Sequence, residues 1–168
     1  LDAPDAVYRI APDGRPLYGS EEAIFGEVQL EEAQYANRLA GMVRPLLPPG
    51  ATILAPLAVG CHVDHQLARL LGRTLLKEGR NVAFYEELPY SERQDALKQA
   101  LGDETRWRPA LLSLPEEAIA AKVAAMAYYR TQVPVLYGDD LTMSRRIHQV
   151  ARAVACGDGY AERIWWPA

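Results

Sequence analysis

Apolar residues follow two patterns in the first half of the chain. Residues 51–57 are apolar on both faces and are bounded by Pro48-Pro49-Gly50 and Gly60, which is typical of a buried parallel strand. A helical pattern follows, with apolar positions at the spacing i, i+3, i+4, i+7 and i+8. That core-facing stripe consists of Leu67, Leu70, Leu71, Thr74 and Leu75.

A second strand is predicted directly after this helix. Gly79 is suited to end the helix, and the apolar, β-branched and aromatic run Asn81–Tyr85 indicates a buried strand. Strand, helix and strand at this spacing form a βαβ unit and predict the α/β class. Further predicted elements are helices over Leu30–Leu46 and Thr142–Ala155, a third strand or extended loop over Trp107–Leu114, and a helix entered through Pro115.

Two histidines and an aspartate stand between the first strand and the helix. His62 and His65 lie off the apolar stripe and are three residues apart, so in a helical turn they share a face, about 5–6 Å apart at Cβ. The carboxyl end of a parallel strand is where open α/β sheets bind ligands. Imidazole is a common zinc ligand whose ring is oriented by a carboxylate, and Asp64 is placed for that role. In the alternative, one histidine caps or packs locally and Asp64 caps the helix.

The second strand ends in an acidic and aromatic turn on the same edge of the predicted sheet. Candidate substrate-binding residues there are Tyr85, Glu86, Glu87 and Tyr90, and the alternative for each is a solvated turn. His148 lies beside the apolar stripe of its helix, which favours packing over metal binding. Cys61 fits a small residue in a tight turn better than a ligand.

Composition excludes several classes of protein. A chain of 168 residues with 49% apolar residues predicts one domain, residues 1–168. A net charge of −4 argues against nucleic acid as a partner, and no apolar run approaches the ~20 residues of a membrane span. Two cysteines far apart in sequence, Cys61 and Cys156, favour a reducing, cytoplasmic compartment. An oligomer is compatible with the sequence.

Three segments together resemble the zinc-dependent PIG-L (LmbE-like) de-N-acetylases. They are the run from Pro56 to His65 with its H-x-D-H element, the turn from Tyr85 to Tyr90, and the set Lys122, Ala125, Tyr128, Thr131 and Gln132. The H-x-D-H element is the most specific, and the resemblance extends over most of the chain.

The resemblance implies a Rossmann-like layered fold with a mostly parallel sheet and removal of an acetyl group from an N-acetylglucosamine-type amide in a small N-acetylated sugar or glycoconjugate. It implies that His65 binds zinc, and that His62 hydrogen-bonds the oxyanion or protonates the leaving amine. Asp64 would orient His62 and hold its proton. Zinc polarises the amide carbonyl and provides hydroxide at neutral pH.

One motif of that family has no match here. The H-x-D-D segment of its first strand supplies two further zinc ligands and the general base, and the chain opens at Leu1-Asp2 without Met. We therefore expect a missing N-terminal segment of the same protein, including one or more strands, and poor catalysis by this chain alone.

Two other functions are open. A metallo-β-lactamase-type hydrolase would need a histidine where Gly60 stands. A non-catalytic carbohydrate- or partner-binding domain of the same fold would use the aromatic residues without metal chemistry.

Overall fold

The structure is a computed structural model that describes residues 3–32 and 34–168. It divides into two compact units, residues 1–107 with 166–168 and residues 108–165. Leu1 and Asp2, which carry the expectation about the start of the chain, lie outside the described residues, as does Ala33 in the predicted helix Leu30–Leu46. The prediction of a single domain stays a prediction.

Unit 1 is built on the predicted βαβ segment. Strand β1 (Thr52–Pro56) pairs in parallel with β2 (Asn81–Tyr85), in a register that aligns Thr52 with Asn81 and Pro56 with Tyr85. Helix α3 (Val63–Lys77) connects the two strands and packs on both. Both strands and the helix were predicted from local patterns, and the α/β class is confirmed. The Rossmann-like layering stays a prediction.

A glycine brings α3 close to the strands. A Cβ on Gly72 would lie 2.7 Å from the Cβ of Ala55 and 3.3 Å from the Phe84 ring, so a larger residue would push the helix away. Leu67 and Leu75 are buried against this surface, as predicted. Leu70 is 44% exposed and Leu54 is 52% exposed, because one flank of α3 and the first half of β1 are not covered.

The other helices of unit 1 are α1 (Glu21–Ile24), α2 (Tyr35–Val43) and α4 (Gln94–Leu101). The predicted single helix Leu30–Leu46 is wrong in extent: among the described residues, α2 lies between two short 3₁₀ turns, Leu30–Glu32 and Arg44–Leu46. Pro45 lies in the second of these turns, where its missing N–H interrupts the α-helical hydrogen-bond pattern. Residues near the start of the chain add a small apolar cluster that includes Ala6, Leu17 and Tyr18 and packs on Val63 of α3.

Unit 2 contains three complete helices and the greater part of two strands. The strands are β3 (Trp107–Leu114), which resolves the choice between strand and loop, and β4 (Tyr160–Pro167). The helices are α5 (Glu116–Met126), α6 (Val133–Tyr137) and α7 (Asp140–Ala155), and α7 packs on the other two. In the described part of the chain, no helix has the length and apolar character needed to cross a membrane.

Candidate active site

A tight turn carries the chain from the end of β1 into α3. Three residues of this turn have left-handed backbone angles: Ala58 at φ 60°, Gly60 at φ 88° and Cys61 at φ 63°. The Leu57 amide donates to the carbonyl of Tyr85 over 2.9 Å, which continues the β1–β2 pairing into the turn. The turn therefore places His62 at the carboxyl end of the parallel pair, where the sequence predicted it.

His62 is the N-cap of α3. Its Nδ1 accepts the backbone N–H of Asp64 over 3.2 Å, which satisfies one of the free amides at the helix start. The local capping role considered for a histidine is thus observed. With Nδ1 an acceptor, the neutral ring carries its proton on Nε2. Burial, and then the charge of His65, lowers the pKa of His62 and favours this neutral form.

The two histidine rings lie together as predicted. Their centroids are 5.2 Å apart. His65 is 35% exposed, and its Nδ1 lies 3.1 Å from Oε1 of the buried Glu87. Oε2 of Glu87 accepts the amide of Val59 over 3.3 Å, so one carboxylate joins the turn after β1 to the His65 ring.

Glu87 differs from its expected place in a substrate-binding turn. Its side chain is only 6% exposed and faces His65 rather than an open surface. The Nδ1 of His65 and Oε1 of Glu87 are both buried and lie within ion-pairing distance of each other, but among the described residues neither atom makes a hydrogen bond of regular geometry. A buried carboxylate behind an imidazole is the arrangement that orients histidine ligands of metals.

Asp64 contacts His62 by its backbone and not by its side chain. Its carboxylate accepts the Ala6 amide at Oδ2 over 3.1 Å and pairs through Oδ1 with Nη1 of Arg9. The described contacts contain no hydrogen bond between that carboxylate and the His62 ring. The Asp64 carboxylate was expected to orient the His62 ring. Instead, the N-cap contact holds the ring, because both carboxylate oxygens are engaged by Ala6 and Arg9.

Aromatic side chains surround the histidine pair. Phe25 meets the His62 ring edge to face at 5.4 Å between centroids, and Tyr90 lies 6.2 Å from His65 and 6.2 Å from Phe25. Tyr85 is 39% exposed. Burial and the charge of Glu87 raise the pKa of both Tyr85 and Tyr90, so both phenols are neutral donors at pH 7. Glu86 is half-buried.

The described residues provide one candidate metal ligand, His65. His65 has the carboxylate support typical of a metal ligand, and its Nε2 is available. Catalytic zinc takes three protein ligands, and within residues 3–32 and 34–168 no group of three histidine, cysteine, aspartate or glutamate side chains could hold a metal ion. The described chain therefore fits a single ligand position and not a complete zinc site.

The remaining predicted residues lie in unit 2. Lys122 pairs with Glu162, and Tyr128 is 83% exposed. His148 Nδ1 lies 2.7 Å from the Ser144 carbonyl, and its ring packs edge to face on Tyr160. These contacts agree with the packing interpretation of His148.

Three residues at this site were not predicted from the sequence. Arg9 and Glu32 form a buried ion pair beside Asp64, and Phe25 forms one wall of the histidine pair. Arg9 is 55 residues from Asp64, and no local pattern signals such a contact. In the sequence, Phe25 stood out only as an aromatic residue in a short segment that follows an irregular, Pro- and Gly-containing stretch.

Two curated relatives of this chain are both named as deacetylases. A 2'-N-acetylparomamine deacetylase of Niallia circulans is 31% identical over 143 residues, covering 83% of this chain and 49% of that protein. A 2'-N-acetylparomamine deacetylase of Streptomyces fradiae is 28% identical and covers 92% and 63% respectively. The homologues are deacetylases. The chain thus spans about half to two thirds of the length of the relatives it matches, and no family model matches it.

Solved structures agree with these relatives. The A40926 pseudoaglycone deacetylase Dbv21 is 30% identical with a TM-score of 0.63, over 80% of this chain and 55% of that one. The zinc inhibited form of the teicoplanin deacetylase Orf2 has a TM-score of 0.70 at 22% identity, over 96% and 64% respectively, and shows a shared fold. The deacetylase fold is therefore common to this chain and both structures.

Proposed function

We propose that this chain forms part of a zinc-dependent N-deacetylase of the PIG-L (LmbE-like) type, which removes the acetyl group from an N-acetylglucosamine-type amide. The observation that carries the proposal is the His62–His65 pair at the end of a parallel strand, with Glu87 behind His65. The deacetylase relatives support the same reaction.

His65 is the proposed zinc ligand of this chain. An Nδ1–H directed at Glu87 leaves the lone pair of Nε2 free for the metal, and burial of Glu87 keeps the ring in that tautomer. The further ligands and the general base would come from an N-terminal segment outside this chain. This chain covers 49% and 63% of the two curated relatives, so both relatives contain residues beyond the part that it matches. The chemistry that zinc supplies at such a site is polarisation of the amide carbonyl and activation of water at neutral pH.

His62 is the proposed donor to the reacting amide. Its Nδ1 is held by the Asp64 N–H, so its Nε2–H is directed away from the helix and can donate to the carbonyl oxygen as negative charge develops there. To protonate the leaving amine, the ring would first have to take up a proton at Nδ1 and give up its bond to the Asp64 amide, so the observed geometry favours hydrogen bonding to the oxyanion. Asp64 acts on this step through the position of its backbone, which the Arg9 contact anchors.

The substrate would be a small N-acetylated sugar or glycoconjugate. Tyr85 and Tyr90, with their neutral phenols, would contact its hydroxyl groups, and Phe25 and Tyr90 would pack on its ring. Glu86 is proposed for the same role. The names of the relatives, which act on acetylated sugar-containing compounds, support this class.

The test uses the three histidines of the chain. Zinc content and acetate release from N-acetylglucosamine conjugates would be measured for the complete protein and for His62→Ala, His65→Ala and His148→Ala. We expect His65→Ala to lose zinc, and His62→Ala to keep zinc while losing about 10²-fold or more in kcat. His148→Ala, the matched control from unit 2, should keep both. Stoichiometric zinc in His65→Ala, or full activity in His62→Ala, would overturn the assigned roles.

A non-catalytic sugar-binding domain is the second candidate. It would use the aromatic side chains around the histidine pair, Phe25 and Tyr90, to bind the sugar without metal chemistry. This function predicts that the complete protein binds N-acetylglucosamine conjugates without releasing acetate, even with added zinc.

A cytoplasmic location is part of the proposal. Cys61 and Cys156 are both free thiols, which suits a reducing compartment. Determining the redox state of the two cysteines in cells would test this.

A further inference from the structure

A cleft of about 550 Å³ adjoins the histidine pair within unit 1. Its volume is in the range of small-molecule binding sites. Its lining includes residues of α3 and α4, the Gly60–Cys61 turn and Phe25. Gly60 and Cys61 immediately precede His62, and Phe25 touches the His62 ring, so the cleft lies beside the proposed reaction site.

Three arginines line this cleft in a chain whose net charge is −4. Arg93 is neutralised by Asp95, with 3.0 Å between Nη2 and Oδ2. For Arg69 and Arg73 the situation differs: among the residues that the structure describes, no carboxylate lies within ion-pairing distance, 4.0 Å, of either guanidinium. Two positive charges of the cleft are therefore without a direct counterion from the described chain.

Arg69 is held in place by the fold. Its Nη2 donates to the Ala100 carbonyl over 2.7 Å, and its guanidinium lies 5.8 Å from the centroid of the Trp107 ring. Its Nε is buried and has no hydrogen-bond partner among the described residues. A buried donor without an acceptor is costly, and a ligand oxygen would remove that cost.

Charge repulsion adds to this cost. Burial, and then the charge of Arg73, lowers the pKa of Arg69 to about 10, although Glu87 and Cys61 oppose the change. Bound negative charge between the two arginines would relieve their repulsion. Arg73 is exposed, so its side chain can reach a ligand without rearrangement of the helix.

Part of the cleft is apolar. Phe25 is 36% exposed and Leu70 is 44% exposed, and both face it together with Ala58 and Ala96. A ligand that fits both the apolar part and the arginine side of the cleft has an apolar body and an anionic group at one side.

We infer that the cleft beside the histidine pair binds an anionic, apolar aglycone of the acetylated substrate through Arg69 and Arg73. This inference rests on the proposed function, because it takes the acetamide of the same molecule to lie at His62. Guanidinium groups bind carboxylate and phosphate by the same bidentate geometry, so either group satisfies the site. The same charges disfavour sugars that carry ammonium groups on the aglycone side, so the inferred ligand differs from the 2'-N-acetylparomamine for which the curated relatives are named.

The test is a comparison of binding, which does not depend on catalysis. Isothermal titration calorimetry would give Kd values for the para-carboxyphenyl N-acetyl-β-glucosaminide, its methyl ester, and the para-phosphophenyl and para-aminomethylphenyl analogues. We expect the carboxylate to bind about tenfold more tightly than its ester and the ammonium compound to bind most weakly, with the preference declining as salt is added. Comparison of the Kd of the phosphate analogue with that of the carboxylate analogue shows which of the two anionic groups the cleft prefers.

Two variants assign the effect to the cleft. Arg73→Gln should reduce the preference for acid over ester to near one. Lys77→Gln removes the same charge from the same helix, one turn away and outside the cleft, and should leave the preference unchanged.

Equal Kd values for acid and ester in the unaltered protein, or an unchanged preference in Arg73→Gln, would overturn the inference. Failure of the proposed function would give a different result: neither the carboxyphenyl glucosaminide nor its methyl ester would release acetate, whatever their relative Kd values.

Discussion

Arg9 and Asp64, 55 residues apart in sequence, form an ion pair beneath the start of α3. Arg9 is only 7% exposed, and its Nε also lies 2.8 Å from Oε1 of the buried Glu32. Burial lowers the pKa of Arg9, but its hydrogen bond to Asp64 and the charges of Asp64 and Glu32 together raise it. One guanidinium therefore connects the first described residues of the chain to helix α3, whose N-cap and first turn hold the two site histidines.

Removal of the Arg9 charge should destabilise unit 1 strongly. Arg9→Met would leave the buried Glu32 carboxylate and the Asp64 carboxylate without their cation, and breaking a buried pair in this way costs about 3–5 kcal/mol. Urea unfolding followed by circular dichroism measures the change. Arg15→Met is the matched control: Arg15 is 51% exposed, so loss of its pair with Glu31 should cost about 1 kcal/mol or less. Equal losses in the two variants would contradict the structural role of Arg9.

The Glu87 carboxylate should set the zinc affinity of His65. In Glu87→Gln the new amide can present an N–H to Nδ1, which favours the wrong tautomer of the ring, and loss of such a carboxylate typically weakens metal binding by about 10–100-fold. Competition with a zinc chelator on the complete protein gives the affinity. The exposed Glu104→Gln change is the control. Unchanged zinc affinity in Glu87→Gln would argue against His65 as the ligand or Glu87 as its support.

Substitution of Gly60 should disturb the turn in two ways. Gly60 has φ 88°, and a Cβ there would lie 2.6 Å from Cγ and Cδ1 of Tyr90, at the fixed base of the ring. Gly50 has φ 73° with open space around it, so Gly50→Ala isolates the backbone cost of about 1–2 kcal/mol. Gly60→Ala adds an overpacking cost of about 1–3 kcal/mol. Thermal unfolding of the two variants would reveal this difference, and similar losses would mean that Tyr90 moves away freely.

Tyr18 should make the protein less stable in alkali. Burial, followed by its hydrogen bond to Glu32, raises the pKa of Tyr18 from 10.0 to about 12. Because the folded state keeps the proton that the unfolded state loses, the free energy of unfolding is unaffected below pH 10. It then declines by about 1.4 kcal/mol per pH unit as the pH rises towards 12.

Tyr18→Phe should abolish this decline, although it lowers stability at neutral pH by removal of the Glu32 contact, 2.6 Å in length. Tyr8→Phe, at a tyrosine that is 74% exposed, is the control. Urea unfolding at a series of pH values on both sides of 10 measures the slopes. A slope in Tyr18→Phe equal to that of the unaltered protein would assign the alkaline effect to other groups.

The elements nearest the site were accessible from the sequence because their signals are local. The apolar runs of β1 and β2, the stripe of α3 and the glycine after its end each depend on residues within a few positions of one another. The spacing of His62 and His65 likewise determined that their rings meet once the segment is helical. By contrast, the predicted helix Leu30–Leu46 failed in extent, since its apolar spacing continues through a proline and into turns.

Only the tertiary structure decided which groups face the histidines. Glu87 reaches His65 because β1 and β2 pair in a particular register, which places the ends of both strands side by side. Arg9 reaches Asp64, and Phe25 reaches His62, only after the N-terminal segment packs on α3. Periodicity in a sequence identifies the side of an element that is buried. The partner on that side is selected by the packing of distant segments, and no local pattern of residues encodes it.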